Sequence, residues 1–217
     1  MTASQALRTM MVDTQVRPSD VTKFPIIAAM LAVPREAFVP APVRPVAYSD
    51  APVPIGDGRE MPEARLLAKM LDALDVRLED RALVVGGGLG YSTAVLSRMA
   101  ESVVMVEDDR RRVAEAEAAL AQGGISNAVV LEGRLADGAP QAAPFDVVLV
   151  EGGVERIPDA LAEQLAEDGR IVALFQEGRA GRARLGRRVE GRMAWRDAFD
   201  AIAPVLPGFA RERGFQF

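Results

Sequence analysis

The sequence contains neither cysteine nor histidine. Without cysteine there is no disulfide, no thiolate metal site and no cysteine nucleophile. Without histidine the commonest general base and zinc ligand is missing as well, so a zinc enzyme and a histidine-based triad are excluded and no metal site is expected. Long apolar runs are also lacking. Nowhere do about 18 uncharged apolar residues follow one another, and the first segment, MTASQALRTMMVDTQVRPSD, has no basic start leading into an apolar stretch. A soluble cytoplasmic protein without a membrane partner is expected. Nor is there an excess of positive charge. Lys and Arg number 26 against 31 Asp and Glu, a formal net charge of −5 with both signs spread along the chain. No basic face for a nucleic-acid backbone follows from that distribution, so no nucleic-acid partner is expected.

What is present is enough for a sizeable core. The chain has 217 residues, 49% of them hydrophobic, and reads as one domain over 1–217. Nine of its 14 prolines precede Glu63, seven of them crowded into VPREAFVPAPVRPVAYSDAPVPIGDGREMP. Proline fixes φ and disfavours helix in the residue before it, so this stretch reads as extended and turning. Residues 1–62 are therefore expected to form an N-terminal arm and lid. Short helices are expected ahead of the prolines at 5–16 and 21–31, the second with Ser19 or Asp20 as cap. Behind them, MPEARLLAKMLDALD places Leu67, Met70, Leu71 and Leu74 at helical spacing.

From Arg81 strands alternate with helices. RALVVG, SVVMVE, NAVVLEG, FDVVLVEGG and GRIVALF read as strands; YSTAVLSRMA, DRRRVAEAEAALAQGG and IPDALAEQLAEDG read as the helices between them. Short β-branched runs separated by helices predict a parallel sheet covered on both faces. The fold class is α/β: a Rossmann-like, mostly parallel, doubly wound sheet with a helical, proline-rich arm. Its core is expected over 63–176, with C-terminal edge strands over 177–217 and antiparallel pairing from Arg187 to Phe217.

The densest signal is VVGGGLGYSTAVL, which packs four glycines into five positions between the first core strand and the next helix. In a doubly wound sheet ligands sit beyond the carboxyl ends of the strands, at this turn. Glycine admits positive φ there and lets a ligand approach the backbone, and the amides of the helix start favour polar or anionic groups. A tight turn closed by glycines for packing would leave the same trace. The next strand ends in Glu107, 17 positions after Gly90, where an acid can accept hydrogen bonds from ribose hydroxyls. Together they favour a nucleoside cofactor. Asp108 and Asp109 suit the start of the following helix through its dipole. A dinucleotide fingerprint needs G-x-G-x-x-G, and from Gly86 the last slot falls on Tyr91, so a nicotinamide cofactor is the weaker choice.

The pattern Gly86-x-Gly88-x-Gly90-Tyr91, together with AMLAVPREAFVP and AYSDAPVPIGDG, resembles the protein-L-isoaspartate O-methyltransferases from about Leu7 through Phe175. These are class I methyltransferases that use S-adenosyl-L-methionine (SAM) to methylate carboxylates of damaged aspartyl residues. The resemblance implies SAM as cofactor and an isoaspartyl peptide or protein as partner. It also implies a cofactor pocket shaped by Gly86, Gly87, Gly88, Gly90 and Tyr91, with Glu107 on the ribose and Gly133 and Leu135 beside the adenine. A carboxylate acceptor, with a reference pKa near 4, is already ionised at neutral pH and needs no general base. The absence of histidine and cysteine therefore does not count against this chemistry.

Three departures bear on the acceptor. After IGDG the family carries a serine against the substrate carboxylate; read without gaps, this chain has Pro62 in that slot, flanked by Glu60 and Glu63. No catalytic side chain is assigned in consequence. The two acids would repel a carboxylate unless Arg59 or Arg65 turns inward, or they form only an exposed helix start. Where the family has Gly-Asp-Gly, this chain has Gly133-Arg134-Leu135, with Asp137 as a substitute or a mere loop acid. After the fourth core strand stand Glu151-Gly152-Gly153, the acid attracting a sulfonium, repelling an anion, or simply solvated. Asp146 and Asp50 are polar candidates that nothing separates from caps. A SAM-binding protein with a changed acceptor, or with no methyl transfer, is the alternative.

Overall fold

The computed structural model describes residues 2–211; Met1 and the last six residues lie outside it. The arm begins with α1 (Ala3–Met11), capped by Thr2 and Gln5 and continued by a wider turn over Val12–Val16. Helix α2 (Phe24–Ala32) starts later than the sequence suggests, and neither Ser19 nor Asp20 caps it. Pro25 sets the first turn of α2, Ser19 Oγ donates to the carbonyl of Gln15, and Asp20 closes a preceding 3-10 turn in the left-handed conformation. The proline-rich stretch makes two 3-10 turns and then a short antiparallel hairpin, β1 (Val53–Gly56) and β2 (Arg59–Met61). Helix α3 (Ala64–Leu74) buries Leu67, Met70, Leu71 and Leu74, the stripe its spacing predicts.

The core follows as β3 (Arg81–Val85), α4 (Tyr91–Leu96), β4 (Ser102–Glu107), α5 (Arg110–Gln122), β5 (Ala128–Glu132), β6 (Phe145–Val154), α6 (Asp159–Ala162) and β7 (Leu165–Glu177). Two further strands, β8 (Ala180–Val189) and β9 (Arg192–Asp200), complete a seven-stranded sheet in the order β5-β4-β3-β6-β7-β8-β9. The first five run parallel; β8 and β9 add antiparallel to the edge. Alternation along the strands divides the core. Ala82, Val84, Val147 and Leu149 pack toward the arm, α3 and α4; Leu83, Val85, Val148 and Val150 pack on the other face against Leu161, Leu165, Leu206 and Phe209. Because β4 and β6 lie on opposite sides of β3, strand order reverses there, and the carboxyl ends of β3, β4 and β6 face a common crevice.

Two expected boundaries change. The helix expected over 157–169 is one turn long, because Leu165 already pairs with Phe145 in the sheet. The Gln164 side chain closes that corner, accepting from Ala139 N at 2.8 Å and donating to the carbonyls of Asp137 and Ala160. The edge strands start at Ala180 rather than Arg187 and end at Asp200. From Ala201 the chain turns back over the crevice and bridges Gly153 to Val205. The part of the expected edge strands beyond residue 211 lies outside the described residues.

Candidate active site

The glycine loop leaves β3 at Val85 and enters α4 at Tyr91. Gly86, Gly88 and Gly90 all adopt positive φ, which a side chain would strain, so the turn is built from the residue type it requires. Gly88 N donates to Glu107 Oε2 at 3.0 Å. The other oxygen of Glu107 accepts from Asp108 N at 3.1 Å and from Arg112 Nε at 2.9 Å, with Arg59 Nη1 at 3.5 Å. Glu107 is fully buried, and burial pushes its pKa upward against the pull of Arg59 and Arg112. Asp109 caps α5 through Arg112 N, and Asp108 pairs with the Arg112 side chain, so both serve the helix start as expected.

Side chains from outside the parallel core close over this loop. Arg59, from β2, turns inward and donates to the carbonyl of Gly86 at 2.7 Å. Ile55, from β1, packs on Gly88 so closely that a Cβ there would stand 2.5 Å from Ile55 Cδ1. Leu206, on the returning C-terminal segment, covers Gly86 and Gly152. All residues of the loop, 86–90, are consequently buried.

A second polar group gathers around the first turn of α4. Arg35 is fully buried, donates through Nε to the carbonyl of Ala47 at 2.7 Å and through Nη2 to that of Pro62, and stands 4.8 Å from the Tyr91 ring centroid. Phe38 packs on the same ring at 6.0 Å. Tyr91 thus anchors the arm to the core through its ring. Arg35 Nη1, Tyr91 Oη, Ser92 Oγ and Glu151 Oε2 are buried with no hydrogen-bond partner among the described residues. Such groups ordinarily find one in a bound molecule or water.

Glu151, near the end of β6, is 6% exposed and lines a cavity of about 40 Å³ with Arg59, Pro62, Leu66, Met70 and Leu174. Burial raises its pKa to about 7, against the opposing influence of Ser92, Arg59 and Arg35. Glu60 and Glu63 border the same cavity, but Glu60 is exposed and Glu63 lies near Arg65 at 3.8 Å. Arg65 points outward to Asp50. An open groove of about 830 Å³ adjoins the cavity through Glu63, Leu66 and Ile202, and its walls carry Phe175, Phe199, Lys69, Arg182 and Arg184.

The remaining candidates separate clearly. Gly133 N donates to the carbonyl of Glu107 at 3.0 Å, which fixes the β5 turn beside the crevice. Leu135 is buried in the second core cluster, whereas Arg134 is mostly exposed and 3.9 Å from Asp137, a loop acid. Asp146 accepts from Arg81 N at 2.8 Å and is structural. Arg35, Ile55, Arg112 and Leu206 gave no sign in the sequence. Each reaches the crevice from an element whose placement depends on tertiary contacts.

A family model described as protein-L-isoaspartate(D-aspartate) O-methyltransferase matches residues 8–200. A Methylorubrum extorquens protein-L-isoaspartate O-methyltransferase is 40% identical over 207 residues, covering 93% of this chain and 89% of its relative. The chain belongs to the protein-L-isoaspartate O-methyltransferase family. A second member, from Methylorubrum populi, is 39% identical over 212 residues and covers 94% and 97% of the two chains. Among solved structures, a protein-L-isoaspartate O-methyltransferase superposes with a TM-score of 0.82 at 25% identity, over 94% of this chain and 66% of that one. A Plasmodium falciparum chain solved with S-adenosyl-L-homocysteine has the same fold, with a TM-score of 0.80 at 19% identity over 95% and 99%.

SAM is the cofactor of this family, and the crevice can be tested for it on its own geometry. The loop backbone fits, since its positive-φ glycines leave no side chain of their own over the turn. The space above it is held by Arg59, Ile55 and Leu206, none of which belongs to the parallel core. The β1–β2 hairpin and the returning segment thus form the cover over the loop, with Arg59 between that cover and Glu107. No helix of the described chain is long and apolar enough to cross a membrane.

Proposed function

We propose that the chain is a SAM-dependent carboxyl methyltransferase acting on isoaspartyl residues of peptides or proteins. The observation that carries this reading is the direction of Arg59. It faces the junction of glycine loop and acceptor cavity, 3.5 Å from Glu107 and 3.7 Å from Asp108, while Glu60 faces solvent, so the charge that borders the path of an incoming carboxylate from the hairpin is positive. Gly86, Gly87, Gly88 and Gly90 form the floor for the cofactor, Glu107 holds its ribose once Arg59 yields, and Gly133 and Leu135 flank the adenine. When bound, the cofactor supplies an electrophilic methyl carried on a sulfonium.

The chain's own residues orient and desolvate the acceptor. The carboxylate is already ionised, so attack needs alignment and exclusion of water rather than a base. Leu66, Met70, Leu174 and Leu206 provide the apolar walls, and the wider groove has room for the peptide flanking the modified residue. Pro62 stands in the slot where the resemblance places a serine, so a donor to the acceptor comes from elsewhere, another side chain or a backbone N–H. A cytoplasmic location accords with a chain that carries no cysteine.

The second reading, a SAM-binding protein with another acceptor or none, draws on the acids around the cavity and the covered loop. Calorimetry separates the two. An isoaspartyl peptide is expected to bind the protein loaded with S-adenosyl-L-homocysteine and the matching aspartyl peptide is not. Cofactor binding with no discrimination between the peptides would favour the second reading.

A further inference from the structure

Glu151 is the one acid that reaches the acceptor cavity from inside the sheet. It is nine-tenths buried, its Oε2 has no partner among the described residues, and the cavity it lines is otherwise walled mostly by carbon. The cavity, about 40 Å³, has room for a group of carboxylate size and little more. Pro62, across it, offers no hydroxyl and no N–H. We propose that Glu151, in its protonated form, donates the hydrogen bond that holds the acceptor carboxylate in this cavity. This rests on the carboxyl-methyltransferase reading above.

The groups facing Glu151 support a shared proton. Arg59 comes from β2, Arg35 from the 3-10 turn after α2, Tyr91 and Ser92 from α4, and Glu107 from β4; Glu60 and Glu63 border the cavity rim. Ser92, Arg59 and Arg35 favour an ionised Glu151, but burial, with Glu107, opposes it and prevails, raising its pKa to about 7. An entering carboxylate, a second negative charge in the same dry space, moves the balance further toward the protonated form. The pair then carries one proton and one charge. In the transfer step a lone pair of the acceptor oxygen forms the new O–C bond and the C–S bond breaks with its electron pair left on sulfur. The proton stays on Glu151 throughout.

The test is the pH profile of methyl transfer to a blocked isoaspartyl peptide with no other ionisable group. Wild-type kcat/KM is expected to fall above about pH 7, approaching tenfold per pH unit, while the profile of Glu151→Gln, whose amide donates at every pH, loses that fall whatever its absolute rate. A wild-type rate that is flat or rises with pH would overturn the proposal, as would a Glu151→Gln profile that follows the wild type. Should Glu151→Gln fail to fold, the wild type still decides. Binding of the peptide to the S-adenosyl-L-homocysteine complex at pH 8, measured in buffers of different ionisation enthalpy, is expected to take up a proton; no uptake overturns the proposal. Failure of the underlying reading looks different: no transfer to the isoaspartyl peptide at any pH, which removes both.

Discussion

Three residues, Gly88, Glu107 and Glu151, bear most directly on the site, and each carries its own expectation. At Gly88, φ is +57° and a Cβ would press on Ile55, so Gly88→Val strains the turn and displaces the hairpin. Calorimetry is expected to find SAM binding abolished in Gly88→Val and weakened about tenfold or more in Glu107→Ala, the order of one charged hydrogen bond. Unchanged affinity in both would refute the cofactor assignment. Glu151 makes a stability prediction that involves no ligand. Its pKa, about 7 in the folded protein against the usual 4.5, means that the native state holds a proton the unfolded chain releases. Stability from this group is greatest below the unfolded value and is lost as pH rises from about 4.5 to 7, by about 3 kcal/mol in total. Denaturant titrations at pH 5 and pH 8 are expected to show that loss in the wild type and its absence in Glu151→Gln.

At the scale of elements, the β1–β2 hairpin decides access. It has only two short strands and sits on the glycine loop through Ile55 and Arg59. The Arg59–Glu107 contact is long, 3.5 Å, while Arg112 holds the same carboxylate at 2.9 Å. Arg59 can therefore leave without stripping Glu107 of its partner. Arg59→Ala is expected to tighten SAM binding several-fold by calorimetry, because the cofactor no longer competes with the guanidinium, while slowing transfer to an acidic acceptor. Weaker SAM binding in Arg59→Ala would mean that Arg59 holds the cofactor rather than excluding it. The same elements show where sequence reading succeeds. Strands β3, β4 and β6 are continuous apolar runs, and α3 has an unmistakable stripe, so local pattern and final position agree. Helix α6 was overread because Leu161 and Leu165 satisfy helical spacing, yet Leu165 gains more by pairing with Phe145 in the sheet. The return of 201–206 over the crevice has no periodicity at all, and its role appears only when Gly152 and Gly153 are seen to leave room for it.

For the whole molecule, the fold and the cofactor end of the site were legible because both follow from spacing along the chain: glycines at a strand-to-helix turn, an acid at the end of the next strand. The acceptor end was not. Whether Arg59 or Arg65 turned inward could not be read from two arginines six residues apart, and burial of Glu151 depends on four separate elements closing around it. The arm, the core and the returning segment meet at a single crevice, with a groove beside it wide enough for a polypeptide. The most direct measurement of the central claim is transfer of labelled methyl from SAM to a peptide with one isoaspartyl residue, set beside the same peptide with a normal aspartyl residue. The account predicts label on the isoaspartyl peptide alone, as a base-labile ester. Tight SAM binding with no label on either peptide would contradict it.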